Sequence, residues 1–141
     1  MDILEFRTQY IDNLRFKAEH EGSEPETQFI NQALEDLEAI GELKDPIPMS
    51  VEMKGRRGRI MAFDAYAYDD ADASLVLIAS DFSNERERML SLTNSRIIEL
   101  STRMRNFLDE AVNGSISDYC DDSDEAIDIA KEFKKYIGKG L

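Results

Sequence analysis

Residues 63–82, FDAYAYDDADASLVLIASDF, decide the fold of this chain. Two β-rich runs flank the acidic segment DDADA, and this pattern predicts two antiparallel strands joined by a turn. Asp64 leads into the first strand, and Asp81 lies near the end of the second. The hairpin therefore raises the question of whether its carboxylates belong to a functional site or only to a scaffold.

The rest of the middle third also has a strand pattern. The second hairpin strand, SLVLIASDF, is apolar on both faces, so we expect helices to pack on each face of the sheet. Upstream, IPMSVEMK contains Pro48, which suits an edge strand, and GRRG then forms a turn. The sequence therefore predicts a three-stranded antiparallel sheet.

Two amphipathic helices precede this sheet. The second is expected to begin at a capping box of Ser23 and Glu26 and to end at Gly41. The apolar residues of the first helix recur at steps of three and four, as a buried stripe does. They are Ile3, Phe6, Tyr10 and Leu14, with Leu4 and Ile11 widening the stripe.

Two more helices follow the sheet. Thr93 is the expected N-cap of the first, and Asn113-Gly114 its end. Asp122 with Glu125 is expected to cap the last helix, and Gly138 to end it. The order ααβββαα predicts an α+β fold in which helices cover the sheet.

Composition favours one globular domain spanning residues 1–141. The chain is 42% apolar and 33% charged, and its longest apolar run, Leu75 to Ala79, is too short to cross a membrane. The N-terminus lacks the basic and apolar regions of a secretory signal. Because Cys120 is the only cysteine, an internal disulfide is impossible. These features predict a cytoplasmic protein with no membrane partner.

The net charge of −13 makes nucleic acid an unexpected partner for this domain alone, because such binding relies on lysine and arginine. The one basic cluster is KGRRGR at the turn between the first two strands. A solvated turn is its simplest interpretation, and contact with a phosphate or a protein partner is the alternative. The residues concerned are Lys54, Arg56, Arg57 and Arg59.

Metal and nucleophile sites of common types are not indicated. His20 and Cys120 are each the only residue of their type, so a zinc cage has too few ligands. The acidic segment DYCDDSDEAID lacks the glycine and the ligand spacing of a calcium loop. We therefore expect no cofactor, with Mg²⁺ as the single alternative considered next.

A metal-dependent nuclease needs an Asp on one strand and, on its neighbour, a carboxylate followed two residues later by Lys. The turn restricts the residue opposite Asp64 to Ile78 or Ala79, according to register. The lysine position is then Ser80 or Asp81, so neither register supplies the motif. The second register leaves Glu26, Asp64 and Asp81 as candidate catalytic residues and Mg²⁺ ligands.

The chain resembles the N-terminal domain of the abortive phage infection resistance (AIPR) proteins. Three segments carry most of the resemblance, and the closing DEAIDIAKEFKKYI fits less distinctively. They are ETQFINQALEDLEAIGEL, IMAFDAYAYDDADASLVLIASDFS and LTNSRIIELSTRMRNFLDEAV.

This resemblance implies a restriction-endonuclease-type fold within a longer bacterial phage-defence protein. Relatives that keep the site have Asp-Gly-Tyr at the second strand, and Gln or Glu with Lys at the end of the third. Here the corresponding residues are Asp64-Ala65-Tyr66 and Ala79-Ser80-Asp81, so the lysine step is missing.

The leading hypothesis is a non-catalytic or degenerate nuclease-like domain that serves recognition or assembly in phage defence. Its expected partners are downstream domains of its own protein or further copies of itself, with a phage component as another candidate. The alternatives are a Mg²⁺-dependent nuclease acting on phage nucleic acid and a small acidic adaptor.

Overall fold

A computed structural model describes residues 2–22, 24–81, 93–121 and 124–140. The helices in this part of the chain are α1 (Ile3–Glu21), α2 (Pro25–Ala39), α3 (Asn94–Asn113) and α4 (Glu125–Gly140). The strands are β1 (Ile47–Lys54), β2 (Ile60–Asp69) and β3 (Ser74–Ile78). The predicted α+β order ααβββαα is confirmed.

The sheet is antiparallel in the order β1-β2-β3, so β2 is its central strand. The register of β1 against β2 shifts between Pro48 and Val51, which is where an edge strand containing proline tolerates an irregularity. The turn between β1 and β2 contains a short 3₁₀ segment in which Arg57 has a φ of 58°. Ile47–Lys54 is therefore an edge strand, as predicted.

The β2–β3 hairpin is shorter than the sequence suggested. Its pairing ends at Ala65 with Ile78, so Ala79 to Asp81 lie beyond the regular strand. Phe82, the last residue of the predicted strand, lies outside the described residues. Val76 is 41% exposed, so β3 is not covered on both faces at this point.

The main core lies between β2 and the pair α3 and α4. Phe63 of β2 contacts Phe107 of α3 with ring centroids 5.0 Å apart, and Phe133 of α4 at 5.6 Å. All three rings are at most 1% exposed. Helix α3 contacts β2, and α4 contacts β3 and α3. This aromatic core fixes the two C-terminal helices on the sheet.

Helices α1 and α2 pack on one another, and α2 also contacts β1. Leu14 and Ile11 of the predicted α1 stripe are buried, whereas Ile3 and Phe6 are 69% and 59% exposed. The expected stripe is therefore covered only in its later turns. None of the described helices is long and apolar enough to cross a membrane.

Helix ends follow local hydrogen bonding. The Thr93 hydroxyl accepts the backbone N–H of Arg96, and α3 ends at Gly114 with a φ of 74°, as predicted. Asp122, the expected cap of α4, lies outside the described residues. Within them, the Asp124 carboxylate accepts a hydrogen bond from the backbone N–H of Ala126. The last helix continues through Gly138 to Gly140 because a glycine weakens a helix without forcing it to end.

Candidate functional site

Asp64 lies on β2 directly after the buried Phe63, and it is half-buried. Since Ala65 pairs with Ile78, continuing the antiparallel register places Ala79 opposite Asp64. This is the second of the two registers foreseen from the sequence. An alanine thus occupies the carboxylate position of the nuclease pattern, and Asp81 occupies the lysine position.

The Asp64 carboxylate has a structural partner. Its Oδ2 accepts a hydrogen bond of 2.8 Å from the backbone N–H of Ser80, just past the end of β3. This bond holds the chain against β2 after the strand pairing has ended. The Ser80 hydroxyl beside it is enclosed and has no hydrogen-bond partner among the described residues.

Asp81 is held by a different element. Its Oδ1 accepts a hydrogen bond of 3.0 Å from Arg96 Nε, in the first turn of α3. Arg96 also pairs with Glu99 at 3.1 Å, and Glu99 in turn pairs with Arg103. Hydrogen bonding to Asp81 and then to Glu99 raises the pKa of Arg96. Asp81 therefore lies in a surface ion-pair network.

A cleft of about 280 Å³ lies between α2, the sheet and α3. Glu26 and Asp64 both line this cleft, so the structure brings two of the three candidate residues together. Asp81 is not among the described residues lining it, although its partner Arg96 is. We call this feature the carboxylate cleft.

The candidate residues do not form a metal cage. Within residues 2–22, 24–81, 93–121 and 124–140, no group of three or more His, Cys, Asp or Glu side chains is placed to hold a metal ion. Mg²⁺ requires near-octahedral oxygen ligation and commonly takes one or two carboxylates together with substrate phosphates. In the described part of the chain, Glu26, Asp64 and Asp81 are therefore not grouped as three ligands of one ion.

Three further charged residues line the carboxylate cleft and were missed by sequence reasoning. Glu52 of β1 pairs with Ala62, two residues before Asp64, so strand alternation could have identified it once the register was known. Arg96 and Arg103 lie seven residues apart on α3, which places them on one helical face. The cleft therefore contains charges of both signs.

The predicted capping role of Glu26 has no support in the described residues. Ser23, its expected partner, lies outside them. Glu24 occupies the N-cap position of α2, and within the described chain it makes no side-chain capping hydrogen bond. Glu26 itself lines the carboxylate cleft.

The basic turn is directed toward an acidic helix face. Arg56 and Arg59 line a pocket with Asp109 and Glu110 of α3, and Arg56 Nε lies 3.8 Å from Glu110. Glu110 is only 8% exposed and also accepts a hydrogen bond from the Ser115 hydroxyl. Acidic side chains thus offset part of the positive charge of the turn.

A family model described as "Abortive infection phage resistance protein N-terminal domain" matches residues 29–139. No curated protein and no solved structure matches the chain. The matched range begins within α2 and includes the whole sheet, α3 and nearly all of α4. The chain therefore belongs to the family of abortive infection phage resistance protein N-terminal domains.

Proposed function

We propose that this domain is a non-catalytic, nuclease-like module of a cytoplasmic phage-defence protein, and that it acts in recognition or assembly. The observation that carries the proposal is the environment of Asp64. Its carboxylate binds the backbone N–H of Ser80, and an alanine occupies the position across the sheet. Asp64 thus serves to hold the end of the hairpin.

The arginines of the carboxylate cleft do not replace the missing lysine. A guanidinium stays protonated at all physiological pH values and cannot accept a proton from an attacking water. Arg96 is also engaged by Asp81 and Glu99. The cleft is therefore better suited to binding a polar group of a partner than to hydrolysis.

A cleavage assay tests the catalytic side of this proposal. The chain is incubated with Mg²⁺ or Mn²⁺ and with single- and double-stranded DNA and RNA, beside Asp64→Ala. Asp72→Ala is the matched control, since Asp72 is an exposed acid in the hairpin turn. We expect no cleavage above background from any of the three proteins. Metal-dependent cleavage that is lost only in Asp64→Ala would contradict the proposal.

A binding assay tests the assembly side. We expect the chain to self-associate or to bind the downstream part of its own protein, measured by sedimentation velocity and by titration of the two separately expressed parts. A strictly monomeric chain that also fails to bind the downstream part would refute the assembly role.

One observation favours a second candidate, a Mg²⁺-dependent nuclease that acts on phage nucleic acid. Glu26 and Asp64 line the same cleft, and Mg²⁺ is commonly held by one or two carboxylates together with substrate phosphates. The cleavage assay decides between the two candidates, because only the nuclease requires Asp64 for activity.

A further inference from the structure

Strand β3 (Ser74–Ile78) has one paired side and one open side. Its inner side pairs with β2 along all five residues. The sheet order is β1-β2-β3, and among the residues that the structure describes no further strand pairs with the outer side of β3. That outer side, which we call the open edge, therefore presents backbone N–H and C=O groups to which another strand can bind.

Strand β1, at the other edge of the sheet, is protected against such binding. It contains Pro48, which has no N–H, and its register shifts between Pro48 and Val51. It also carries the exposed charged residues Glu52 and Lys54. Proline, bulges and charges are the features by which natural edge strands avoid pairing with other chains. We call β1 the closed edge for this reason.

The open edge has none of these protective features. Its sequence, SLVLI, contains no charged residue, proline or glycine, and its pairing with β2 has no register shift. Val76, at its centre, is 41% exposed. Natural proteins charge, distort or cover an edge strand of this kind, because it otherwise pairs with other chains. Since β3 is neither charged nor distorted, the contrast with β1 indicates that the open edge is an interface.

The pattern of β3 suits a second copy of the same strand. In antiparallel pairing about a two-fold axis at Val76, this residue lies opposite its own equivalent. Leu75 then lies opposite Leu77, and Ser74 opposite Ile78, so each pair joins residues of the same face of the sheet. Leu75 and Leu77 pack against the main core, and this pairing continues their apolar layer into the second copy. No like charges meet within the paired strands.

We infer that two copies of this chain pair through their β3 strands and form one continuous antiparallel sheet. Of the described strands, β2 is central and β1 is the closed edge, so β3 is the strand that a second copy can offer. The inference rests on the proposed assembly role and deepens it by naming the partner and the surface. Because the same surface is used on both copies, the contact closes as a dimer.

Area and net charge set the strength of this contact. A pair of five-residue strands buries less area than the ~1,200–2,000 Å² of standard interfaces, so the dimer should be weak and should dissociate on dilution. Each copy has a net charge of −13, and salt screens the repulsion between the two copies. Raising the NaCl concentration should therefore strengthen the association, whereas it would weaken an association held by ion pairs.

A charge exchange at Val76 tests both the pairing and its register. In Val76→Lys and in Val76→Glu, two like charges would lie directly opposite one another at the two-fold axis, which is unfavourable. The wild type should show a monomer–dimer equilibrium in sedimentation velocity, and each variant alone should associate at least about tenfold more weakly. An equimolar mixture of the two variants should regain the dimer, because lysine then lies opposite glutamate.

Ile47→Lys is the matched control, because Ile47 is 46% exposed at the start of the closed edge. This variant should associate like the wild type, and circular dichroism should show that all variants are folded. A wild type that stays monomeric overturns the inference. Folded Val76→Lys and Val76→Glu chains that fail to restore the dimer when mixed also overturn it.

Two outcomes separate this inference from the proposed assembly role. Dimers that survive in both Val76 variants place self-association at another surface, so they overturn the inference alone. A monomeric wild type whose binding to the downstream part is lost in Val76→Lys assigns the open edge to that part. This second outcome also overturns the inference while leaving the assembly role intact.

Discussion

Phe63 and Asp64 are neighbours on β2, yet they lie in regions of opposite character. Phe63 is 1% exposed and contacts two other buried rings, whereas Asp64 is half-buried in a cleft lined by charges of both signs. Alternation along a strand separates the two regions by a single residue. The comparison teaches that one strand can place a ring in the core and, at the next residue, a carboxylate in a polar cleft.

The largest effect should come from the aromatic core. Phe133→Ala removes a fully buried ring that contacts Phe63, Phe107 and Tyr66, so we expect the free energy of unfolding to fall by about 3–5 kcal/mol. Urea denaturation measures this change. The control is Phe16→Ala, where the ring is exposed and the change should stay within about 0.5 kcal/mol. Equal losses in the two variants would break the distinction between core and surface.

Substitution of Asp64 should lower the free energy of unfolding by a smaller amount, through the loss of its hydrogen bond to Ser80. Asp64→Ala leaves the N–H of Ser80 without its carboxylate acceptor, and we expect a loss of about 1–2 kcal/mol in the free energy of unfolding. Asp64→Asn keeps an oxygen acceptor and should lose clearly less. If both substitutions stabilise the protein, the structural role assigned to Asp64 is wrong. Residues of functional sites often lower the stability of the fold, so that replacing them raises the free energy of unfolding.

The smallest effect should be that of Tyr66 on the pH dependence of the free energy of unfolding. Burial raises the pKa of Tyr66, and the charge of Glu132 raises it further. The folded protein therefore holds this proton more tightly than the unfolded chain does. The stabilisation is present below the ordinary tyrosine pKa of about 10 and is lost as pH rises through the raised folded value.

Urea denaturation at a series of pH values between neutral and strongly alkaline measures this dependence. Tyr66→Phe should lessen the alkaline fall in the free energy of unfolding. Tyr119→Phe is a matched control, because Tyr119 contacts the main core only as a partly buried residue. An unchanged alkaline slope in Tyr66→Phe would contradict the predicted direction.

Much of the fold could be predicted because it depends on local signals. The order of the helices and strands and the two ends of α3, at Thr93 and Gly114, were predicted correctly. The sequence narrowed the partner of Asp64 to two residues, and the hairpin pairing selects Ala79. These features depend on strand period, turn length and capping chemistry.

The carboxylate cleft was predicted only in part, because its members come from distant elements. Glu26 and Asp64 were named together, but Glu52 required the β1 register, which contains a shift. Arg96 and Arg103 required the position of α3 against the sheet. The apolar periodicity of the α1 sequence also predicted a fully buried stripe. Periodicity does not show how far along α1 the neighbouring helix α2 extends, and so Ile3 and Phe6 are exposed.

Mg²⁺ binding tests most directly the central claim that Asp64 holds the hairpin and does not bind metal. The melting temperature of the wild-type chain is measured in MgCl₂ and in NaCl of equal ionic strength, and the same pair of measurements is made on Asp64→Asn. A ligand at a hundredfold excess over its Kd would stabilise the folded state by about 2.7 kcal/mol. We predict the same melting temperature in both salts for each protein. A rise specific to Mg²⁺ in the wild type that disappears in Asp64→Asn would contradict the claim.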